Sequence, residues 1–332
     1  MKKLLSLAFA AMALFGHSAN AQQFQPAVIF DMGGKFDKSF NEGVYNGAER
    51  FRKETNITYR DFEITNDSQR EQALRNMATR GATIITIAGF SAANAVEKVA
   101  KEFPNVKFTI IDAVVDLPNV QSVVFKEHEG SFLVGAIAAK TSKTGVIGFI
   151  GGMDIPLIRN FACGYKQGAR AVNPKITVLQ NMTGTTGAAW NDPTRGAELA
   201  RSQFDRKADV VFAAAGATGL GVMQAAKDSK KLAIGVDSNQ NYLHPGTILT
   251  SMLKRVDVAV YDALQAARNN SWKPGIRVIG LSEGGVDWAL DQYNRSLITP
   301  EVEKMVGQYR QDIISGKIKV ADYYANNKCP IE

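Results

Sequence analysis

The sequence predicts an α/β protein made of two Rossmann-like, doubly wound lobes joined by a hinge. Three observations predict it: short, almost wholly apolar runs recur along the chain, amphipathic stretches separate most of them, and the series restarts near residue 127. Strands that are apolar on both faces and alternate with helices belong to parallel sheets covered on both sides. In chain order the strand runs are AVIF (27–30), TIITIA (83–88), FTIID (108–112), SVVF (122–125), GVIGFI (145–150), ITVL (176–179), DVVFAAA (209–215), LAIGVD (232–237) and TILTSML (247–253). Helical patterns at 39–54, 91–103, 130–141 and 194–204 lie between them. The two series count unevenly unless the chain crosses back. The expected division is residues 22–127 plus 249–275 in one lobe and 128–248 plus 276–332 in the other, with several crossings forming the hinge.

Residues 1–21 stand apart. Lys2 and Lys3 precede an apolar run from Leu4 to Phe15, and Ala19-Asn20-Ala21 fits a cleavage site. The run is shorter than the roughly 20 residues that span a bilayer, so it reads as a secretory signal peptide. No cysteine marks the cleavage point, and the periplasm is the expected compartment. Net charge is +7, with Lys2 and Lys3 inside the leader and no basic block elsewhere, which argues against a nucleic-acid polymer as partner. Cys163 and Cys329 are the two cysteines, and sequence leaves open whether they pair or stay as thiols.

Ligands of open parallel sheets bind beyond the carboxyl ends of the strands. Those ends carry Asp31, Gly89, Asp112, Gly151 with Gly152, Gly216, Asp237 and Lys254. The first end lies in FDMGGKFDKSFNEG (30–43), where Gly33 and Gly34 permit close backbone approach. Ser39 and Glu42 have the spacing of a capping box, which places Phe40 and Asn41 in the first helical turn. Phe40 shares a helical stripe with Val44 and Phe51, so core packing and cleft lining are both open for it. Asp31, ending an apolar strand, needs a partner because a desolvated carboxylate is costly.

GGKFDKSFNEGVYNGAE resembles the D-x-S-F-N motif of the basic membrane protein family, substrate-binding proteins of ABC-type nucleoside importers. The resemblance continues through EGSFLVGAIAAKTSKTGVIGFIGGMDIPLIRNFACGYKQGAR, WNDPTRGAELA, IGVDSNQ and LTSMLKRVDVAVYDA, spanning nearly all of the chain after the leader. It implies the fold of periplasmic sugar-binding proteins (type 1), two lobes closing on a ligand. It implies further that a purine is sandwiched between Phe40 and Trp190, the latter standing where the family has phenylalanine. By the same resemblance Asn41 and Asp31 make polar contacts to the ligand, Asp237 and Lys254 bind ribose, and Asp112 is carried over on little more than a strand ending in Asp; Gly216 is a candidate from its strand end alone. The implied partners are an uncharged nucleoside and a membrane permease, with the protein itself a monomer.

The residues suit such a ligand. Stacking on one aromatic face is worth about 1 to 3 kcal/mol per base and does not choose among bases. An asparagine offers donor and acceptor in one plane, and a carboxylate accepts from vicinal hydroxyls. A different flat heteroaromatic ligand, a flavin or free nucleobase, is the alternative within this class. A nucleoside hydrolase is the alternative outside it, but His128 and His244 have no recognisable partner, and Ser91 in AGFSAA lacks the second glycine of a nucleophile elbow. His128 reads as a hinge or surface residue. The glycines from Gly216 imitate a dinucleotide fingerprint with the wrong spacing, and no triphosphate cradle is present. Neither cofactor nor metal is expected: the histidines and cysteines lie far apart.

Overall fold

A computed structural model describes residues 23–331. The leader at 1–21 therefore lies outside the described residues. The chain forms β1 (Pro26–Phe30), α1 (Phe40–Thr55), β2 (Arg60–Glu63), α2 (Gln69–Thr79), β3 (Ile84–Ile87), α3 (Ala93–Glu102), β4 (Lys107–Ile111) and β5 (Val120–Phe125). It continues with α4 (Glu127–Thr141), β6 (Val146–Met153), α5 (Pro156–Val172), β7 (Thr177–Gly184), α6 (Pro193–Asp205), β8 (Val210–Ala214), α7 (Thr218–Asp228), β9 (Leu232–Asp237) and β10 (Ile248–Lys254). Then come α8 (Val256–Arg268), β11 (Gly275–Ile279), β12 (Val286–Trp288) and α9 (Pro300–Ile314).

Two six-stranded sheets result, ordered β2-β1-β3-β4-β5-β11 and β7-β6-β8-β9-β10-β12. All pairings are parallel except β10 with β12. In each sheet the strand order reverses beside its first strand, so the switch points lie at β1/β3 and β6/β8, where open α/β sheets form a crevice. The apolar runs became the central strands: β1, β3 and β8 are buried at every position.

Two strands depart from expectation. Residues 276–279, expected in the second lobe, belong to β11 beside β5 of the first sheet, Val278 opposite Val124, because α8 has already carried the chain to that side and the short 269–274 connection keeps it there. Residues 248–254 do not return to the first sheet but pair with β9, Met252 opposite Val236. The physical reason is that β10 is apolar enough to fill either sheet, and the short β9–β10 connection keeps it beside its sequence neighbour. The helix after it, α8, does cross, packing on α1, β3 and β4. Gly47 permits this, since a Cβ there would lie 2.3 Å from the Asp257 carbonyl oxygen. The chain thus crosses at Lys126, at Arg255 and within 280–285, and these crossings are tied together by Lys126 N–H to the Ile279 carbonyl (3.0 Å) and Arg255 N–H to the Gly285 carbonyl (2.8 Å).

Helices α4 and α5 form the other tight pair. A Cβ at Gly164 would lie 2.3 Å from the His128 carbonyl oxygen. This contact carries α5 to the cleft and buries His128, which corrects its reading as a surface residue: it is 6% exposed with Nδ1 3.2 Å from Asn160 Nδ2. Cys163 of α5 is bonded to Cys329, resolving the open question of pairing. The C-terminal segment is further held by Gln167, which exchanges two hydrogen bonds with Ala321.

The bond spans 166 residues of sequence, so its loss releases much unfolded-chain entropy. The paired variant Cys163→Ser, Cys329→Ser is expected to lose about 2 to 5 kcal/mol in urea unfolding while keeping its far-ultraviolet dichroism. An unchanged midpoint would show that hydrogen bonds suffice to hold the segment, among them Gln167 with Ala321, Arg170 Nη1 to the Ile331 carbonyl (2.8 Å) and Tyr323 N–H to Asn160 Oδ1 (2.9 Å).

Candidate ligand-binding cleft

The carboxyl ends of both sheets face each other across a cavity of about 560 Å³ of empty space. Asp31, Phe40, Asn41, Asp112, Trp190, Gly216, Asp237 and Lys254, the eight residues singled out in the sequence, all line it. Met32, Asp37, Phe90, Leu157, Ile158 and Phe161 complete most of the wall. The last three come from α5 and carry no strand-end signal.

Asp31 follows β1 and accepts from Arg70 Nη2 at 2.5 Å and from Ser91 Oγ at 3.2 Å. Its carboxylate is therefore compensated by Arg70, itself only 5% exposed. Gly89 makes the room: it has φ +94°, and a Cβ there would lie 1.9 Å from Asp31 Oδ2. Ser91 thus supports a carboxylate rather than pairing with a histidine.

The start of α1 differs from the expected capping box. Ser39 makes no side-chain cap, and Asp37 takes that role, accepting from the backbone N–H groups of Ser39 (2.8 Å), Asn41 (3.0 Å) and Glu42 (3.1 Å). A carboxylate that accepts several N–H groups outcompetes a neutral hydroxyl at a helix amino terminus. Burial pushes the Asp37 carboxyl up to about 6, against the pull of those N–H groups. Freed from capping, Ser39 Oγ donates to Asp237 Oδ2 at 2.6 Å, joining the two halves. Asn41 also departs from the expected geometry. Its Oδ1 accepts from Asp31 N–H (2.9 Å) and its Nδ2 donates to Asp37 Oδ2 (3.3 Å), so the amide is largely committed to fixing the loop. Asp37 heads the D-x-S-F-N motif, and that position was the signal by which it could have been found.

Phe40 and Trp190 both line the cavity and are held by different neighbours. Phe40 packs on the main core and faces Lys254, whose Nζ lies 5.4 Å from its ring centre. It therefore does both things its sequence left open, core packing and cleft lining. Trp190 follows β7 and meets Phe90 edge-on, with ring centres 6.5 Å apart. The indole rests on Gly152 of β6, where a Cβ would lie 2.1 Å from Trp190 Cζ3. Gly216 lies beside the Trp190 backbone instead, its Cβ position being 3.2 Å from the Trp190 carbonyl oxygen. Farther along, Gly221 allows α7 to touch the Pro193 carbonyl, so this member of the fingerprint-like glycines serves helix packing.

The polar floor is a buried charge cluster. Lys254 Nζ lies 2.6 Å from Asp112 Oδ2 and 3.3 Å from Glu127 Oε1. Burial disfavours its charge, but Asp112, Glu127 and Asp237 outweigh that and raise its pKa. Burial also drives the carboxyls upward, Asp237 to about 6 and Glu127 to about 7, with Lys254 opposing it in both. Asp112 and Asp237 hold left-handed backbone, with φ +71° and +63°. Such φ values are rare outside glycine, although Asp tolerates them better than most. The Oδ1 atom of Asp112 is buried without a protein partner. Glu127 lay inside KEHEG, where the sequence suggested a boundary and nothing more.

Comparison with known proteins agrees with this architecture. The family model described as ABC transporter substrate-binding protein, PnrA-like, matches residues 24–323. The ABC transporter nucleoside-binding protein BmpA of Lactococcus lactis subsp. cremoris is 33% identical over 317 residues, covering 89% of this chain and 88% of that protein. An uncharacterized lipoprotein of Pyrococcus furiosus is 31% identical over 364 residues, covering 95% and 90%. The crystal structure of a solute-binding protein of an ABC transporter system from Aeropyrum pernix K1 superimposes with a TM-score of 0.83 at 28% identity, covering 90% of this chain and 93% of that one. Proteins of this kind bind a small solute outside the cytoplasm for a membrane permease and are not enzymes. The chain belongs to the basic membrane protein family of ABC transporter substrate-binding proteins.

Proposed function

We propose that this substrate-binding protein captures a nucleoside, with a purine base held between Phe40 and Trp190 and the ribose hydroxyls on Asp237 and Lys254. The observation that carries the reading is the pairing, in one cavity, of aromatic walls with a buried carboxylate–ammonium floor. A flat base suits the walls; a diol suits the floor, because hydroxyls can donate to carboxylates whose combined charge exceeds that of the one lysine. Asp112, with its unpartnered Oδ1, and Asp31 are the groups suited to donors on the base edge or sugar. Asn41 acts mainly by shaping the loop, and Gly216 by admitting the ligand close to the backbone. The name of the Lactococcus relative, a nucleoside-binding protein, supports the same reading.

We also read residues 1–21 as a cleaved leader and the protein as a periplasmic monomer. The Cys163–Cys329 bond suits an oxidising compartment. The Pyrococcus relative is named a lipoprotein, whereas no cysteine stands at the proposed cleavage site here.

A thermal-shift panel of nucleosides, free bases, nucleotides, riboflavin and sugars tests the ligand class. A ligand at 100 times its dissociation constant stabilises the native state by about 2.7 kcal/mol, a clear shift. No shift with any nucleoside refutes the reading, and a shift with riboflavin alone favours the flavin alternative. Asp237→Ala is expected to weaken nucleosides at least tenfold (about 1.4 kcal/mol) more than free bases in calorimetry, in line with losing a charged hydrogen-bond partner. Equal losses would remove the ribose role. Tryptophan emission should change on binding in the wild type and not in Trp190→Phe, where Trp272 and Trp288 remain as a constant background.

Acidity supplies a further check. The Asp37 and Asp237 carboxyls are raised from ordinary values near 3.8 to about 6, so the native state holds protons that the unfolded chain has released. Their contribution favours the folded state below that window and is lost as pH rises through about 6. Ligand-free stability should therefore decline from about pH 4 to about pH 6. Nucleoside affinity should move the other way as Asp237 ionises, while free bases stay level. Parallel behaviour of nucleosides and bases would contradict the assignment.

A further inference from the structure

Behind the cavity wall stands a residue that does not line it. Glu127 is the first residue of α4 and is 1% exposed. Its Oε1 lies 3.3 Å from Lys254 Nζ, and its Oε2 accepts from Asn160 Nδ2 at 3.4 Å. Helix α4 packs on β10, β12 and α5, so Glu127 and Lys254 belong to the same half of the molecule. Asp112 follows β4 in the other sheet, fixed by its N–H to the Val123 carbonyl at 2.9 Å. Lys254 therefore has one carboxylate that travels with it and one that faces it across the cleft. Asp237, also on its own side, acts at longer range while its Oδ2 accepts from Ser39 of the opposite half. Both Glu127 and Lys254 adjoin interlobe crossings, at Lys126 and Arg255.

We propose that Glu127 is a positioning residue that holds the Lys254 ammonium while the cleft is open, so that the lysine does not draw the empty cleft shut onto Asp112. A buried ammonium needs a counter-charge, and losing one partner of such a pair is strongly unfavourable. Without Glu127, parting the halves would strip Lys254 of its closest carboxylates, and the empty closed form would gain population. A ligand can enter only the open fraction, so its apparent association falls with that fraction. Asn160 aims Glu127 and is itself fixed by accepting from Tyr323 N–H at 2.9 Å.

Protonation should mimic removal of the charge. Burial pushes the Glu127 carboxyl up to about 7, with Lys254 lowering it and Asp112 raising it. Facing it are Lys254 from β10, Asp112 from the loop after β4, Lys126 and His128 beside it in the chain, and Tyr324 from the C-terminal segment, with Asp322 against His128. Acidification through about 7 therefore acts in the direction of neutralising Glu127, while Asp237 titrates lower.

The inference rests on reading the cleft as a ligand site that opens, but its main readout needs no ligand. Small-angle scattering of the ligand-free full chain near pH 8 is compared for wild type, Glu127→Gln and Glu127→Asp. Glu127→Gln is expected to have a smaller radius of gyration than wild type, with Glu127→Asp between them. Wild type should contract between about pH 8 and pH 6, and Glu127→Gln should contract less. With inosine as probe, stopped-flow association should be roughly tenfold slower for Glu127→Gln. Equal or larger dimensions for Glu127→Gln overturn the proposal, as does a wild type already as compact as the variant. If Glu127→Gln does not fold by circular dichroism, Glu127→Asp alone decides, and dimensions equal to wild type overturn the proposal. Contraction without inosine binding would sustain this inference while refuting the nucleoside reading.

Discussion

The structure turns on the placing of one ammonium among three carboxylates where the two sheets meet. Two unit charges 4 Å apart attract by about 4 kcal/mol at an effective dielectric constant of 20, whereas burying each ion costs several kcal/mol. Lys254 offsets that cost through Asp112 at 2.6 Å and Glu127 at 3.3 Å. One of these comes from the far side of the cleft. The lobes are thus held by an interaction that lies inside the ligand cavity, together with the Ser39–Asp237 hydrogen bond. If the proposed ligand site is correct, closure and recognition use the same atoms.

The sheets exist to deliver those atoms. Parallel strands buried on both faces end together, and the residue after each last hydrogen bond is pointed at the crevice. Asp112 and Asp237 are the clearest cases: one ends β4, the other β9, and both turn into left-handed backbone at the same relative place in the two sheets. That conformation costs about 1 to 2 kcal/mol for a residue with a Cβ. It is sustained because the strand before it is fixed by packing and the carboxylate after it is fixed by Lys254 or Ser39. Strain of this kind collects at functional sites, where the surroundings over-determine the residue.

Much of this was legible in the sequence because an apolar run that stops at Asp, Gly or Lys marks a strand end. Asp31, Asp112, Gly216, Asp237 and Lys254 were all found that way and all line one cavity. What remained hidden has physical reasons. β2 and β11 are edge strands whose residues are mostly exposed, so RDFE and GIRVI lack the signature of buried strands. β10 was assigned to the wrong sheet because burial on both faces says that a strand is central but not which sheet it joins. Ser39 and Asp37 exchanged roles because local spacing favoured a capping box, whereas Asp237, nearly two hundred residues away, claimed the serine hydroxyl. Glu127, Leu157 and Phe161 lie on helices rather than strand ends, and only α4–α5 packing brings them to the site.

The same cluster explains why an empty cleft should not stay closed without cost. In the closed form three carboxylates share a single ammonium, and burial lifts the Glu127 and Asp237 carboxyls toward neutral pH. Water removed from these oxygens must be replaced by donors, since a buried acceptor left unpaired costs about 1 to 3 kcal/mol. Asp112 Oδ1 is such an acceptor in the closed cleft. An uncharged ligand with several hydroxyl or amino donors satisfies the oxygens without adding charge. A phosphorylated ligand would bring a further anion to a site already richer in carboxylates than in cations. Under the proposed nucleoside reading, selectivity would follow from the sign of the uncompensated charge, and the aromatic walls would then select for flatness.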